Sequence, residues 1–189
     1  PNGFAAGTLT LDKITTAAAA TIDHTLTGTS RCLGIDYWAW PSTFAGDVTV
    51  IAPRIGSVYY STFYGNVTLH VTGSATSGSM QWGRNVFRGP ATLVTNDDDD
   101  AILMGSVFPG NLPDTFRTNL TVDGTGGNIV RVCESIPGTT TYFYGNVTTN
   151  ITNQFVNNCI FKGSTQQYLG GTSVADFWAT TTIDNSYSP

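Results

Sequence analysis

Apolar and polar residues alternate through Thr62-Phe63-Tyr64-Gly65-Asn66-Val67-Thr68-Leu69, and the alternation recurs in two further stretches. Thr43-Phe44-Ala45-Gly46-Asp47-Val48-Thr49-Val50 comes one short step earlier, and Tyr142-Phe143-Tyr144-Gly145-Asn146-Val147-Thr148-Thr149 comes later, at close to four further steps of the same size. Set on their glycines, the copies place Phe two residues before and Val two residues after. Val50 or Leu69 follows at plus four, and Ala52, Val71 or Ile151 at plus six. A period of two puts one side of a strand into a core. The positions between, Asp47, Asn66 and Asn146, then Thr49, Thr68 and Thr148, face water. Gly127-Asn128-Ile129-Val130-Arg131-Val132-Cys133 reads as a fourth copy, with Arg131 as a polar defect on its inward parity.

A step of about 20 residues is one turn of a coil of short strands, each pairing with the turns above and below at about 4.8 Å. Phe44 is then expected against Phe63, and Val48 against Val67. Glycines extend the spacing from Gly7 through Gly28, Gly83 and Gly105 to Gly163, at intervals of 18 to 22. The Gly-[Asp/Asn]-[Val/Ile] signature at positions 46, 65, 127 and 145 carries the assignment. These observations predict an all-β, single-domain parallel β-solenoid over residues 31–189, with rungs of about 18–22 residues. Turns of variable length favour a right-handed β-helix over a left-handed one built on strict hexapeptides. Residues 1–30, small and rich in Thr and Ala, are expected to be an N-terminal cap or an exchanged strand covering an open end. A β-sandwich or jelly roll is the alternative fold.

Val156-Asn157-Asn158-Cys159-Ile160-Phe161-Lys162-Gly163 resembles rungs of the pectate-lyase-like right-handed β-helices, a group that includes phage tailspikes. The resemblance implies a fold, with an asparagine at the bend bonding the backbone of the next turn, and it implies the parallel trimers common among phage members. It transfers no catalytic residue.

Only 11% of the 189 residues are charged, while Ser and Thr supply 44, so hydroxyls and amides carry solubility as on repetitive β surfaces outside cells. The net charge is −5, and no run of Lys or Arg along the chain could neutralise phosphates, which argues against a nucleic-acid partner. No apolar run approaches the length of a membrane-spanning helix. The start at Pro1, without a basic, apolar leader, is read as a processed form or a piece of something longer. Cys32, Cys133 and Cys159 lack metal-ligand spacing and read as buried thiols, with one disulfide open. Four sequons, at Asn66, Asn119, Asn146 and Asn150, are close to the number expected by chance in so Asn- and Thr-rich a chain.

Chemistry is sparser than architecture. Trp38 and Trp40 before Pro41, with Tyr60 and the outward-parity Tyr64 and Tyr144, are the candidate glycan-binding or interface residues, because flat aromatic faces suit sugar rings as well as partner subunits. Among Asp97 to Asp100, the alternate acids Asp97 and Asp99 are weak candidates for sharing a Ca²⁺; otherwise no metal or cofactor is expected. The single glutamate, Glu134, and the scattered aspartates form no converging pair of equal phase, and neither His24 nor His70 lies near a nucleophile motif. The sequence favours a non-enzyme: an extracellular or virion-surface structural and attachment protein, such as a tail spike, fibre or appendage. A polysaccharide-cleaving tailspike-type enzyme is the alternative, and a self-assembling extracellular filament subunit the second. So few charges beside several aromatic clusters predict a homo-oligomer, for which the resemblance to phage β-helices implies a trimer, with a filament second; a cell-surface polysaccharide is the further expected partner.

Overall fold

Val48–Ala52, Val67–Val71 and Ala91–Thr95 are five-residue strands, rich in branched residues, whose side chains alternate between buried and half-buried. That is the behaviour of a pleated surface with one face in a core. The computed structural model describes residues 8–11, 13–23, 32–35, 41–73, 80–95, 102–104, 113–124, 130–132, 140–149, 153–155, 159–162, 166–168, 175–177 and 182–183. Among the described residues every regular element is a strand, and no helix is long and apolar enough to cross a membrane.

The strands form three sheets, and successive strands enter them in turn. The first holds, in spatial order, Thr8–Leu11, Cys32–Ile35, Arg54–Tyr59, Met80–Gly83, Ile102–Met104, Val130–Val132, Asn153–Phe155 and Ala175–Phe177. The second holds Thr15–Thr16, Thr43–Phe44, Thr62–Phe63, Val86–Phe87, Thr115–Phe116, Thr141–Phe143, Cys159–Phe161 and Thr182–Ile183. In the third are Ala20–Asp23, Val48–Ala52, Val67–Val71, Ala91–Thr95, Leu120–Gly124, Val147–Thr149 and Gln166–Tyr168. Every pairing is parallel. The register shifts once, where Leu33 faces Ile55 but Gly34 faces Ser57.

Like stacks on like throughout the core. Phe44, Phe63, Phe87, Phe116, Phe143 and Phe161 form one column of nearly parallel rings, with successive centroids 5.0, 5.2, 4.7, 5.0 and 4.7 Å apart. In the third sheet Val48 pairs with Val67, Val67 with Ala91 and Ala91 with Leu120, all buried, so each strand completes its apolar face only against its neighbours. Trp82, fully buried in the first sheet, donates its indole N–H to the Ile55 carbonyl at 2.9 Å.

A second buried column is polar, two residues before each of the first five phenylalanines: Ser42, Ser61, Asn85, Asp114 and Thr141. Ser42 Oγ accepts from Ile14 N at 2.8 Å, Asn85 Oδ1 from Ser61 N at 3.1 Å, and Asp114 Oδ1 from Asn85 N at 2.8 Å. Asn85 Nδ2 also donates to the Val58 carbonyl at 2.8 Å. Ser42, Asn85 and Asp114 thereby satisfy backbone groups that the bend between first and second sheets removes from the ladders. Asn85→Ala leaves Ser61 N–H and the Val58 carbonyl buried without that partner and is expected to cost about 2–4 kcal/mol in urea unfolding. A loss below about 1 kcal/mol would deny the column this role.

The repeat differs from its sequence-based expectation in length. The steps from Phe63 to Phe87, from Phe87 to Phe116 and from Phe116 to Phe143 all exceed the expected 18 to 22, because the connections vary while the strands keep register. Gly127 lies outside the described residues. Val130–Val132, after it, belongs to the first sheet and pairs with Ile102–Met104 and Asn153–Phe155, so Arg131 lies outside the column to which the fourth copy was assigned. The missing copies are Phe87-Arg88-Gly89-Pro90-Ala91 and Phe116-Arg117-Thr118-Asn119-Leu120, the second with threonine at the glycine position. Glycine suits that corner because consecutive backbones meet there: a Cβ on Gly65 would lie 2.6 Å from Asp47 Oδ1 and from the Gly46 carbonyl carbon. Within residues 1–30, Thr8–Leu11, Thr15–Thr16 and Ala20–Asp23 are the edge strands of the three sheets. The bend asparagines implied at Asn157 and Asn158 lie outside the described residues; among the described residues Asn85 is a buried asparagine at a bend.

Candidate functional site: the outer face of the second sheet

Alternation that sends each phenylalanine inward sends the next residue outward: Ala45, Tyr64, Arg88, Arg117, Tyr144 and Lys162. Backbone bonds make these a column. Tyr64 N donates to Phe44 O at 2.9 Å, Arg88 N to Phe63 O at 2.7 Å, Arg117 N to Phe87 O at 2.8 Å, Tyr144 N to Phe116 O at 2.8 Å, and Lys162 N to Phe143 O at 2.7 Å. Arg88 Cζ lies 5.1 Å from the Tyr64 ring centroid, and Arg117 Cζ 4.7 Å from that of Tyr144. One guanidinium therefore leans toward the preceding strand and the other toward the following one.

A shorter column runs along the opposite corner of the same sheet. Tyr60 and Arg84 both adopt left-handed backbone, with φ of 54° and 58°, which turns the chain from first sheet to second. Arg84 Cζ stands 5.2 Å from the Tyr60 ring centroid. Between the corners lie the half-buried Thr62, Val86, Thr115 and Tyr142, and the Tyr142 ring stacks on Tyr144 at 5.9 Å. Each exposed cation–ring contact contributes about 0.5–1 kcal/mol and holds a long side chain in place.

The face thus gathers Arg84, Arg88, Arg117 and Lys162, half of the chain's eight Lys and Arg, with Tyr60, Tyr64, Tyr142 and Tyr144, half of its eight tyrosines. Among the described residues no acid occupies these outward columns. The basic cluster missing along the sequence is assembled in space, because each long turn returns the chain to the same sheet and sets Arg88 and Arg117 on adjacent strands between tyrosines. Described acids lie elsewhere. Asp47 Oδ1 accepts from Asn66 N at 2.8 Å and Asn66 Nδ2 at 3.1 Å, Asp123 Oδ1 accepts from Gly124 N at 2.8 Å, and Asp114 is fully buried in the polar column. Asp23 ends the edge strand of the third sheet.

Of the residues singled out from the sequence, Tyr60, Tyr64 and Tyr144 come together here, with Tyr64 the most open at 51% exposed. Trp38, Trp40, Asp97 and Asp99 lie outside the described residues. Arg84, Arg88, Arg117 and Lys162 were not singled out. Aligning the chain on its phenylalanines rather than its glycines would have placed three of them in one column. Among the described residues Tyr64 is the only large hydrophobic side chain that is exposed. No protein-family model, curated protein or solved structure matches the chain.

Proposed function

We propose that the three parallel sheets are the walls of a right-handed β-helix, and that the chain is a non-enzymatic structural and attachment protein of an extracellular or virion surface. Parallel strands joined by crossover connections are right-handed in nearly all proteins, which supports the hand. The observation that carries the function is the fixed row of tyrosines and cations on the outer face of the second sheet. Aromatic rings held on a rigid stack receive a linear ligand without first being ordered, so little conformational entropy is lost on binding. The ligand of this reading is a surface glycan. Asp47, Asp114 and Asp123 are occupied as acceptors for backbone N–H groups, which supports binding without cleavage.

Incubation with a panel of capsular, plant and algal polysaccharides tests this. Retention of the chain by at least one polymer is expected, with no new reducing ends and no unsaturated products, and Tyr64→Ala with Tyr144→Ala is expected to weaken retention about tenfold. Accumulating cleavage products would establish the tailspike-type enzyme instead.

A further inference from the structure

We propose that the outer face of the second sheet binds an acidic polysaccharide, an extended chain bearing carboxylate or sulfate groups, laid along the stack across consecutive strands. This rests on the glycan-binding reading above and names the chemical class of the glycan.

Charge selects the class. Arg84, Arg88, Arg117 and Lys162 face outward together in a chain whose net charge is −5, and among the described residues no acid stands in their columns. Cations gathered against the sign of the whole chain raise the local potential and attract anions to this face alone. Within the column Arg88 leans onto Tyr64 and Arg117 onto Tyr144, so adjacent guanidinium groups are drawn to opposite neighbours. Each fork therefore takes an oxyanion of its own, Arg88 over the Tyr64 strand and Arg117 over the Tyr144 strand, so the ligand must carry acid groups spaced along its length.

Spacing and ring geometry favour a polysaccharide over a nucleic acid. Strands succeed one another about every 4.8 Å, close to the length one sugar ring adds to an extended glycan. Acid groups on successive or alternate sugars then fall opposite Arg88, Arg117 and, two strands beyond Arg117, Lys162. Bases stack on open ring faces. Here guanidinium groups lie over the rings of Tyr60, Tyr64 and Tyr144, and of the three only Tyr64 is exposed, so successive bases find no run of open rings along the column.

Affinity electrophoresis and titration calorimetry of the intact chain provide the test, with alginate as a polyuronate, dextran sulfate as a polysulfate, dextran as a neutral polymer and oligo-dT as a nucleic acid. Alginate or dextran sulfate is expected to bind, weakening as salt rises, and whichever binds tighter assigns carboxylate or sulfate. Arg88→Gln with Arg117→Gln is expected to lose at least about tenfold in affinity while the melting temperature falls by only a few degrees, since both side chains are exposed and each gives up one cation–ring contact. Adding Thr49→Lys and Thr68→Lys on the third sheet restores the net charge, and affinity is expected to stay low. Recovery of affinity in that variant, or a loss below twofold in the double variant, overturns the site. Dextran binding as tightly as either acidic polymer overturns the acidic class and leaves the glycan reading standing. Tighter binding of oligo-dT replaces polysaccharide by nucleic acid, and binding of none of the four overturns the acidic class, whereas the glycan reading falls only if the wider polysaccharide panel also fails to retain the chain.

Discussion

Val67→Asp is expected to lower stability by more than about 4 kcal/mol or to prevent folding, whereas Thr68→Asp, one residue on, is expected to cost about 1 kcal/mol or less. Val67 is 1% exposed and sits between Val48 and Ala91. A carboxylate there has no donor among those neighbours and loses its hydration, so it must take up a proton or open the strand. Thr68 is half-buried on the outer face of the third sheet between Thr49 and Thr92, where a carboxylate keeps contact with water. Urea unfolding of the two variants measures the contrast. Equal losses would mean that the alternation does not set which side of the strand is buried.

Phe87→Ala is expected to cost about 3–5 kcal/mol, with Arg88→Ala beside it costing about 1 kcal/mol or less. Phe87 is 1% exposed in the middle of the ring column, 5.2 Å from Phe63 and 4.7 Å from Phe116. Removing it deletes two ring stacks and leaves a void that neighbouring rings, held by their own strands, cannot close. Arg88 loses one exposed contact with Tyr64. Comparable losses at both positions in thermal or urea unfolding would contradict the column.

Much of this arrangement was legible in the sequence. Phe44, Phe63 and Phe143, with the valines that follow them, show the buried parity directly, because a period of two is unmistakable where the buried residues are large and apolar. Two features hid the rest. The connections before Phe87, Phe116 and Phe143 run long, so a search at fixed spacing lands on Gly127, whose neighbourhood imitates the signature but feeds the first sheet. Asn85 and Asp114 are polar at fully buried positions, and hydrophobic patterning assigns such residues to the surface. Their burial follows from the backbone N–H groups of Ser61 and Asn85, whose side-chain acceptors become predictable only once the bend is built. The candidate site was half legible for a related reason. Tyrosines mark a surface by type, but Arg88 and Arg117 acquire meaning only from lying on neighbouring strands, and strands of the other two sheets separate them along the chain.

That neighbourhood is open to direct measurement. In the double variant Arg88→Cys with Arg117→Cys, adjacent parallel strands about 4.8 Å apart place the two Cα atoms within the span a disulfide bridges. Mild oxidation followed by peptide mapping is expected to show a linkage joining positions 88 and 117 within one chain. Arg88→Cys with Tyr144→Cys, two strands and about 9.6 Å apart, is expected to show none. A linkage between 88 and 144 as frequent as that between 88 and 117, or no linkage in either variant, would contradict the stacked register that builds the face.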